Sequence, residues 1–204
     1  MQPEAHVRAD ACQGRGRRRA RRRIVLYWAF DRGFAPQRMQ KGAAMAEAVQ
    51  IRNLHAVRMA ALPHRGAYHK VGAAFQELSG LIEARALWPE VEGCAMVSYD
   101  NPRVTPEADL RSHAAFLVSE AFPIAAPIEE LRYPAGRYAV LLHRGPYDGL
   151  PEAYRVLGEE WYPSSGESHI RRPPYELYLN DPNEVAAADL LTEIRLPLAA
   201  PDAE

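Results

Sequence analysis

The stretch RRPPYELYLND, residues 171–181, decides how this chain is read. Two prolines deliver a short alternating run, Tyr175 to Leu179, that ends in a polar Asn180-Asp181-Pro182 turn. Alternation across a strand puts Tyr175, Leu177 and Leu179 on one face and Glu176 and Tyr178 on the other. The first face is apolar and reads as core. The second sets a carboxylate beside a phenol in mid-strand, where burial of an acid costs free energy unless something compensates it. A ligand cation is one such compensation.

Outward from this strand the chain repeats itself. Residues 48–62 alternate loosely and read as one extended strand. His64-Arg65-Gly66 is a turn into a helix whose Val71, Phe75, Leu78 and Ile82 recur at core-stripe spacing. Strands follow at 92–99 and 109–119, and residues 123–127 read as a linker. Residues 128–142 then read as strand broken at Pro134-Ala135-Gly136. His143-Arg144-Gly145 makes a second turn, and a helix runs to about Glu160, where Trp161-Tyr162-Pro163 ends it. Strands at 175–179 and 190–198 complete a β-α-β-β order written twice.

At an offset of 79 residues His64-Arg65-Gly66 matches His143-Arg144-Gly145, and Tyr68 matches Tyr147. Phe75 falls on Tyr154, Tyr99 on Tyr178, and Asn101 on Asn180. One residue further on, Ala108-Asp109-Leu110 pairs with Ala188-Asp189-Leu190. The expected fold is α/β of the α+β type, with tandem duplicated β-α-β-β units forming a two-layer domain around a central ligand groove. On this alignment Glu176 falls on Val97, so the acid is what the duplication did not copy, while Tyr99 and Tyr178 share its face. Tyr175, Leu177, Phe75 and Tyr154 read as core.

Composition narrows the function classes. The 204 residues are 48% apolar and 25% charged, which suits one globular domain or two small ones. The net charge of −1 hides a basic segment, residues 1–45, with 11 Lys and Arg against three Asp and Glu. That segment reads as a disordered tail or an extension from a misplaced start, ahead of a domain at 46–204 with repeats at about 48–120 and 128–198. The domain itself carries a balance of −9, a poor basis for direct nucleic-acid binding. Two cysteines, Cys12 and Cys94, make no disulfide framework and point to a reducing cytoplasm. No apolar run has membrane-spanning length, and the run after Arg23 is too short for an export signal. The seven histidines lack metal-ligand spacing, and nucleotide and acyl-transfer motifs are missing, so no metal and no cofactor are expected.

Ordered motifs run through the domain: YDNP with a following TP at 99–106, PAGRYAVLLHRGPY at 134–147, EEWYPSSG at 159–166, PPYELYLNDP at 173–182 and LLTEIRLPL at 190–198. Together they resemble the GyrI-like family, the DNA gyrase inhibitor and AraC-type effector-binding superfamily. The resemblance implies a stand-alone tandem βαββ domain whose groove binds hydrophobic or cationic small molecules. It places the family's groove glutamate on Glu176 and groove aromatics on Tyr68, Tyr99, Tyr147, Trp161 and Tyr178. Three readings follow: a small-molecule-binding module, a hydrolase opening strained rings with Glu176 as general base, and an interaction protein whose partner is DNA gyrase.

Overall fold

Period-two patterning in both halves closes into one eight-stranded antiparallel sheet in the computed structural model, which describes residues 48–200. The basic segment at 1–45, and the readings attached to it, lie outside the described residues. The strands are β1 (Gln50–Leu54), β2 (Val57–Arg65), β3 (Val91–Ser98), β4 (Arg111–Val118), β5 (Glu129–Tyr133), β6 (Gly136–Arg144), β7 (Tyr175–Tyr178) and β8 (Leu191–Pro197). Their order across the sheet is β1-β6-β8-β7-β3-β4-β2-β5.

This order displays the duplication. β2, β3 and β4 form one half, and β6, β7 and β8 the other, joined through the β3–β7 ladder. The first strand of each repeat leaves its own half: β1 pairs with β6, and β5 pairs with β2. The single strand expected at 48–62 is therefore two strands, broken at His55 and Ala56. The physical reason is the crossing: the chain must leave the β6 edge before it can join β4.

Two helices cover one face. The helix α1 (Gly72–Ala84) sets Phe75, Leu78 and Ile82 on Ala60, Leu62, Met96, Ala114 and Phe116. The second helix comes in pieces: α2 (Leu150–Arg155), a wider π-type segment (Val156–Trp161) and α3 (Tyr162–Ser165). Leu150, Ala153 and Leu157 pack on Ala139, Leu141 and Ile194. Helix continues past the end expected at Trp161-Tyr162-Pro163, with Pro163 taken up in α3 directly after the wider π-type segment. Gly166, at φ 71°, terminates it. The opposite face curls over a second core of Met59, Ala61, Ala95, Val97 and Ala115, capped by the rings of Tyr133, Tyr138 and Tyr175.

Both HRG turns do the same work. His64 Nε2 lies 3.2 Å from the Ala67 carbonyl oxygen, and His143 Nε2 lies 3.0 Å from that of Pro146. The following glycine N–H donates across the sheet, Gly66 to Leu110 O and Gly145 to Leu190 O, each at 2.9 Å. Gly66 and Gly145 hold φ of 112° and 125°, a region costly to any residue with a Cβ. Gly66→Ala and Gly145→Ala are each expected to lower unfolding free energy by about 1–3 kcal/mol, measured by urea denaturation. An unchanged midpoint in both would remove the backbone requirement.

Candidate functional site

Register fixes what surrounds Glu176. On the central ladder Met96 of β3 lies directly opposite Glu176 of β7, and Cys94 lies opposite Tyr178. On the other flank Ile194 of β8 pairs with Glu176 and Thr192 with Tyr178. Met96, Cys94 and Ile194 all belong to the apolar clusters beneath the helices. Glu176 therefore points into the helix-covered layer, at the seam between the halves.

The two halves superpose on a shift of 80 residues in these strands, not 79. The bond from Tyr99 N–H to Arg111 O has its copy in Leu179 N–H to Leu191 O, and Asp100 caps the Arg111 N–H as Asn180 caps that of Leu191. The extra residue enters before β3 and β7, earlier than the sequence alignment placed it. The structural counterpart of Glu176 is thus Met96, its own cross-strand neighbour, and that of Tyr178 is Ser98. The pseudo-twofold axis passes through the Met96–Glu176 pair.

A one-residue slip turns a side chain to the other face of the sheet, which corrects the placement of Tyr99. It does not share a face with Glu176. Its ring joins the far-side core beside Leu177 and Val97, edge-on to His113 at 5.4 Å with the Arg111 guanidinium 5.9 Å from its centroid. Trp161 packs into the cluster under the second helix with Tyr147 and Tyr154. Leu179, expected in the core with Tyr175 and Leu177, is 45% exposed just beyond β7.

Four tyrosines converge on the carboxylate. The Tyr178 hydroxyl donates to Glu176 Oε2 at 2.8 Å, and its ring meets Phe75 and Tyr147 edge-on. Tyr147 packs against the apolar clusters of both halves and so spans the seam. The Tyr68 hydroxyl donates to the Asp100 carbonyl at 2.6 Å and accepts from the Asp100 N–H. Tyr154, read as core from its helical stripe, brings its hydroxyl within interaction range of Glu176 and Ser98 without closing a well-formed hydrogen bond to either. Sequence did carry a signal for it: a tyrosine stands where the first repeat has Phe75.

Glu176 is 5% exposed. Burial pushes its carboxyl up to about 6, and the Tyr178 and Tyr154 hydroxyls act the other way by supporting the ionised form. Burial also raises the phenols of Tyr68, Tyr147, Tyr154 and Tyr178, and the Glu176 charge raises each further. Polar atoms without partners gather on the same side. The Thr192 hydroxyl, on a residue 0% exposed beside Tyr178, and the Ser112 hydroxyl, on a residue 2% exposed beside Ser98, have no hydrogen bond. Each such orphan costs about 1–3 kcal/mol. Among the described residues no group of three or more His, Cys, Asp or Glu could hold a metal ion, and no helix is long and apolar enough to cross a membrane.

The site is thus a buried acid in an aromatic seam of a two-layer α+β domain. The chain belongs to the GyrI-like family: the model of the GyrI-like small molecule binding domain matches residues 47–199. A DNA gyrase inhibitor of Yersinia enterocolitica is 28% identical over 121 residues, 57% of this chain and 76% of that protein. A probable transcriptional regulator, YgiV of Escherichia coli K12, is 31% identical over 110 residues, 50% of this chain and 65% of its own length, just under two thirds. Among solved structures the EcmrR C-terminal domain superposes with TM-score 0.61 at 17% identity, covering 77% of this chain and 99% of that one. SAV2435 bound to tetraphenylphosphonium superposes with TM-score 0.56 at 11% identity, over 76% and 95%. At these identities the structural likenesses show the fold.

An acid whose folded pKa stands above its unfolded value binds more protons in the native state, so it lowers stability as pH rises through that window. From the ordinary 4.5 to about 6, this amounts to about 2 kcal/mol lost at neutral pH. Glu176→Gln is expected to stabilise the fold by up to that amount above pH ~6.5 and to flatten the decline that wild type shows as pH rises from ~4.5 to ~6. Chemical denaturation across pH measures it; equal stability of both proteins above pH ~7 would contradict the buried-charge assignment.

Proposed function

We propose that this domain captures hydrophobic organic cations at the Glu176 seam. The observation that carries the reading is the desolvated carboxylate walled by Tyr68, Tyr147, Tyr154 and Tyr178, with no basic side chain paired to it among the described residues. Aromatic faces attract a cation through their quadrupole, and a dry carboxylate attracts it by charge. At 5% exposure the carboxylate is closed over, so a ligand enters by displacing ring contacts such as Tyr147 on Tyr178, 5.3 Å between centroids. The neighbour solved with tetraphenylphosphonium supports a cation as occupant. The wide π-type turn beside Tyr154 and Trp161 supports a functional role for this stretch, since such turns recur at sites.

The hydrolase reading draws on neighbours from Listeria innocua described as hydrolases, at 11–12% identity, which share the fold alone and do not favour it. Gyrase as a partner rests on the name of the Yersinia relative. A reducing, cytoplasmic setting fits Cys94, a buried cysteine.

Titration calorimetry with tetraphenylphosphonium tests the proposal. Above its pKa of about 6 Glu176 is ionised and attracts the cation; as pH falls through that value the charge is lost. Affinity is expected to drop about tenfold from pH ~8 to ~5. Glu176→Gln is expected to bind at least tenfold more weakly at pH ~8 and to lose that pH dependence. Equal affinity of both proteins at both pH values would refute the role of the carboxylate.

A further inference from the structure

The hydroxyls around Glu176 constrain the occupant beyond its charge. Tyr178 commits its O–H to Glu176 Oε2, and a phenol oxygen that donates its proton is still an acceptor by type. Tyr154 holds a buried hydroxyl within range of the same carboxylate and of Ser98, yet makes no well-formed bond. Thr192, 0% exposed and next to Tyr178 on β8, has a hydroxyl with no partner at all. Buried polar atoms are nearly always paired, so a cluster of unpaired ones beside a dry carboxylate marks positions that a ligand's polar atoms complete.

Every one of these groups can accept a hydrogen bond, and the carboxylate accepts only. A cation wrapped in alkyl or aryl groups brings no donor and leaves those oxygens unpaired in a site from which it has expelled water. An N–H on the charged nitrogen serves the carboxylate and the phenols together. The acid and the two phenols belong to the second repeat, while Thr192 has a hydroxyl counterpart in Ser112. Where the second repeat has Tyr154, Glu176 and Tyr178, the first repeat has Phe75, Met96 and Ser98.

We infer that the Glu176 seam selects protonated amines, cations carrying an N–H donor on the charged nitrogen, over quaternary ammonium and phosphonium ions. This rests on the cation-capture reading above and sharpens its ligand class. The test is a matched pair near pH 8, protonated imipramine against its N-methyl quaternary derivative, titrated calorimetrically into the full chain, Tyr154→Phe and Thr192→Val. The protonated amine is expected to bind about tenfold tighter or more. Tyr154→Phe, which installs the residue of the first repeat, is expected to narrow the preference to about threefold or less, and Thr192→Val to narrow it partly. Equal affinities in the wild-type chain, or tighter binding of the quaternary ion, overturn the inference while leaving cation capture standing. A preference that survives intact in both variants also overturns it, because the hydroxyls would then not be its source. Binding of neither cation overturns the cation-capture reading itself. The wild-type comparison decides even where a variant fails to fold.

Discussion

The β3–β7 ladder is the joint on which the molecule depends, and it seats an acid at its centre. Four residue pairs, from Cys94–Tyr178 to Val97–Tyr175, connect the two halves there. So short a ladder leaves much of the union to the outer strands, and the exchange of β1 and β5 between halves supplies it. Both helices then lean on the helix-side face of the seam, and the rings of Tyr147 and Tyr178 close it. Desolvation of Glu176 follows from this closure. The acid sits buried on that face at 5% exposure, supported by tyrosine hydroxyls, with no basic partner among the described residues.

Duplication explains how such a site arises. A symmetric pair of halves creates a seam with equivalent walls, and divergence of one wall makes it chemically directional. Here the first half contributes Phe75, Met96 and Ser98, while the second contributes Tyr154, Glu176 and Tyr178. The seam has an apolar side and a side rich in hydroxyls and charge. The fold offsets the cost of the charge by apolar burial elsewhere on that face, with Leu78, Ile82, Leu141 and Ile194 at 0% exposure. Elsewhere the halves remain alike: the two HRG turns, the Gly66 and Gly145 bonds, and the Asp100 and Asn180 caps keep one geometry.

Much of this was legible in the chain. Strand alternation and the Val71, Phe75, Leu78, Ile82 stripe are local periodicities, and they produced the strands and α1 nearly where expected. The HRG turns announced themselves because a positive φ demands glycine. Glu176 and Tyr178 stood out because polar groups in a short apolar strand are costly anywhere. Less was legible where identity misled. Tyr99 and Tyr178 align by residue type, but the backbone bonds of Tyr99 recur at Leu179, and the single-residue shift carries Tyr99 to the far core. The hydroxyl of Tyr154 was hidden for another reason: a tyrosine in a helical core stripe looks apolar until the strand beneath it is known.

By itself the sequence determined the duplicated α+β order, the turns and the awkward acid, since each rests on residue chemistry acting over a few positions. Tertiary structure decided the rest. It broke residues 48–62 into β1 and β2 by sending them to different halves. It put Met96 opposite Glu176, so the axis of the duplication runs through the acid. It also turned four tyrosines toward that acid from β7 and the two helix starts and the body of α2. Strand register and helix docking are long-range choices, set by how two hydrophobic faces close together, and one residue of slip exchanges a site for a core.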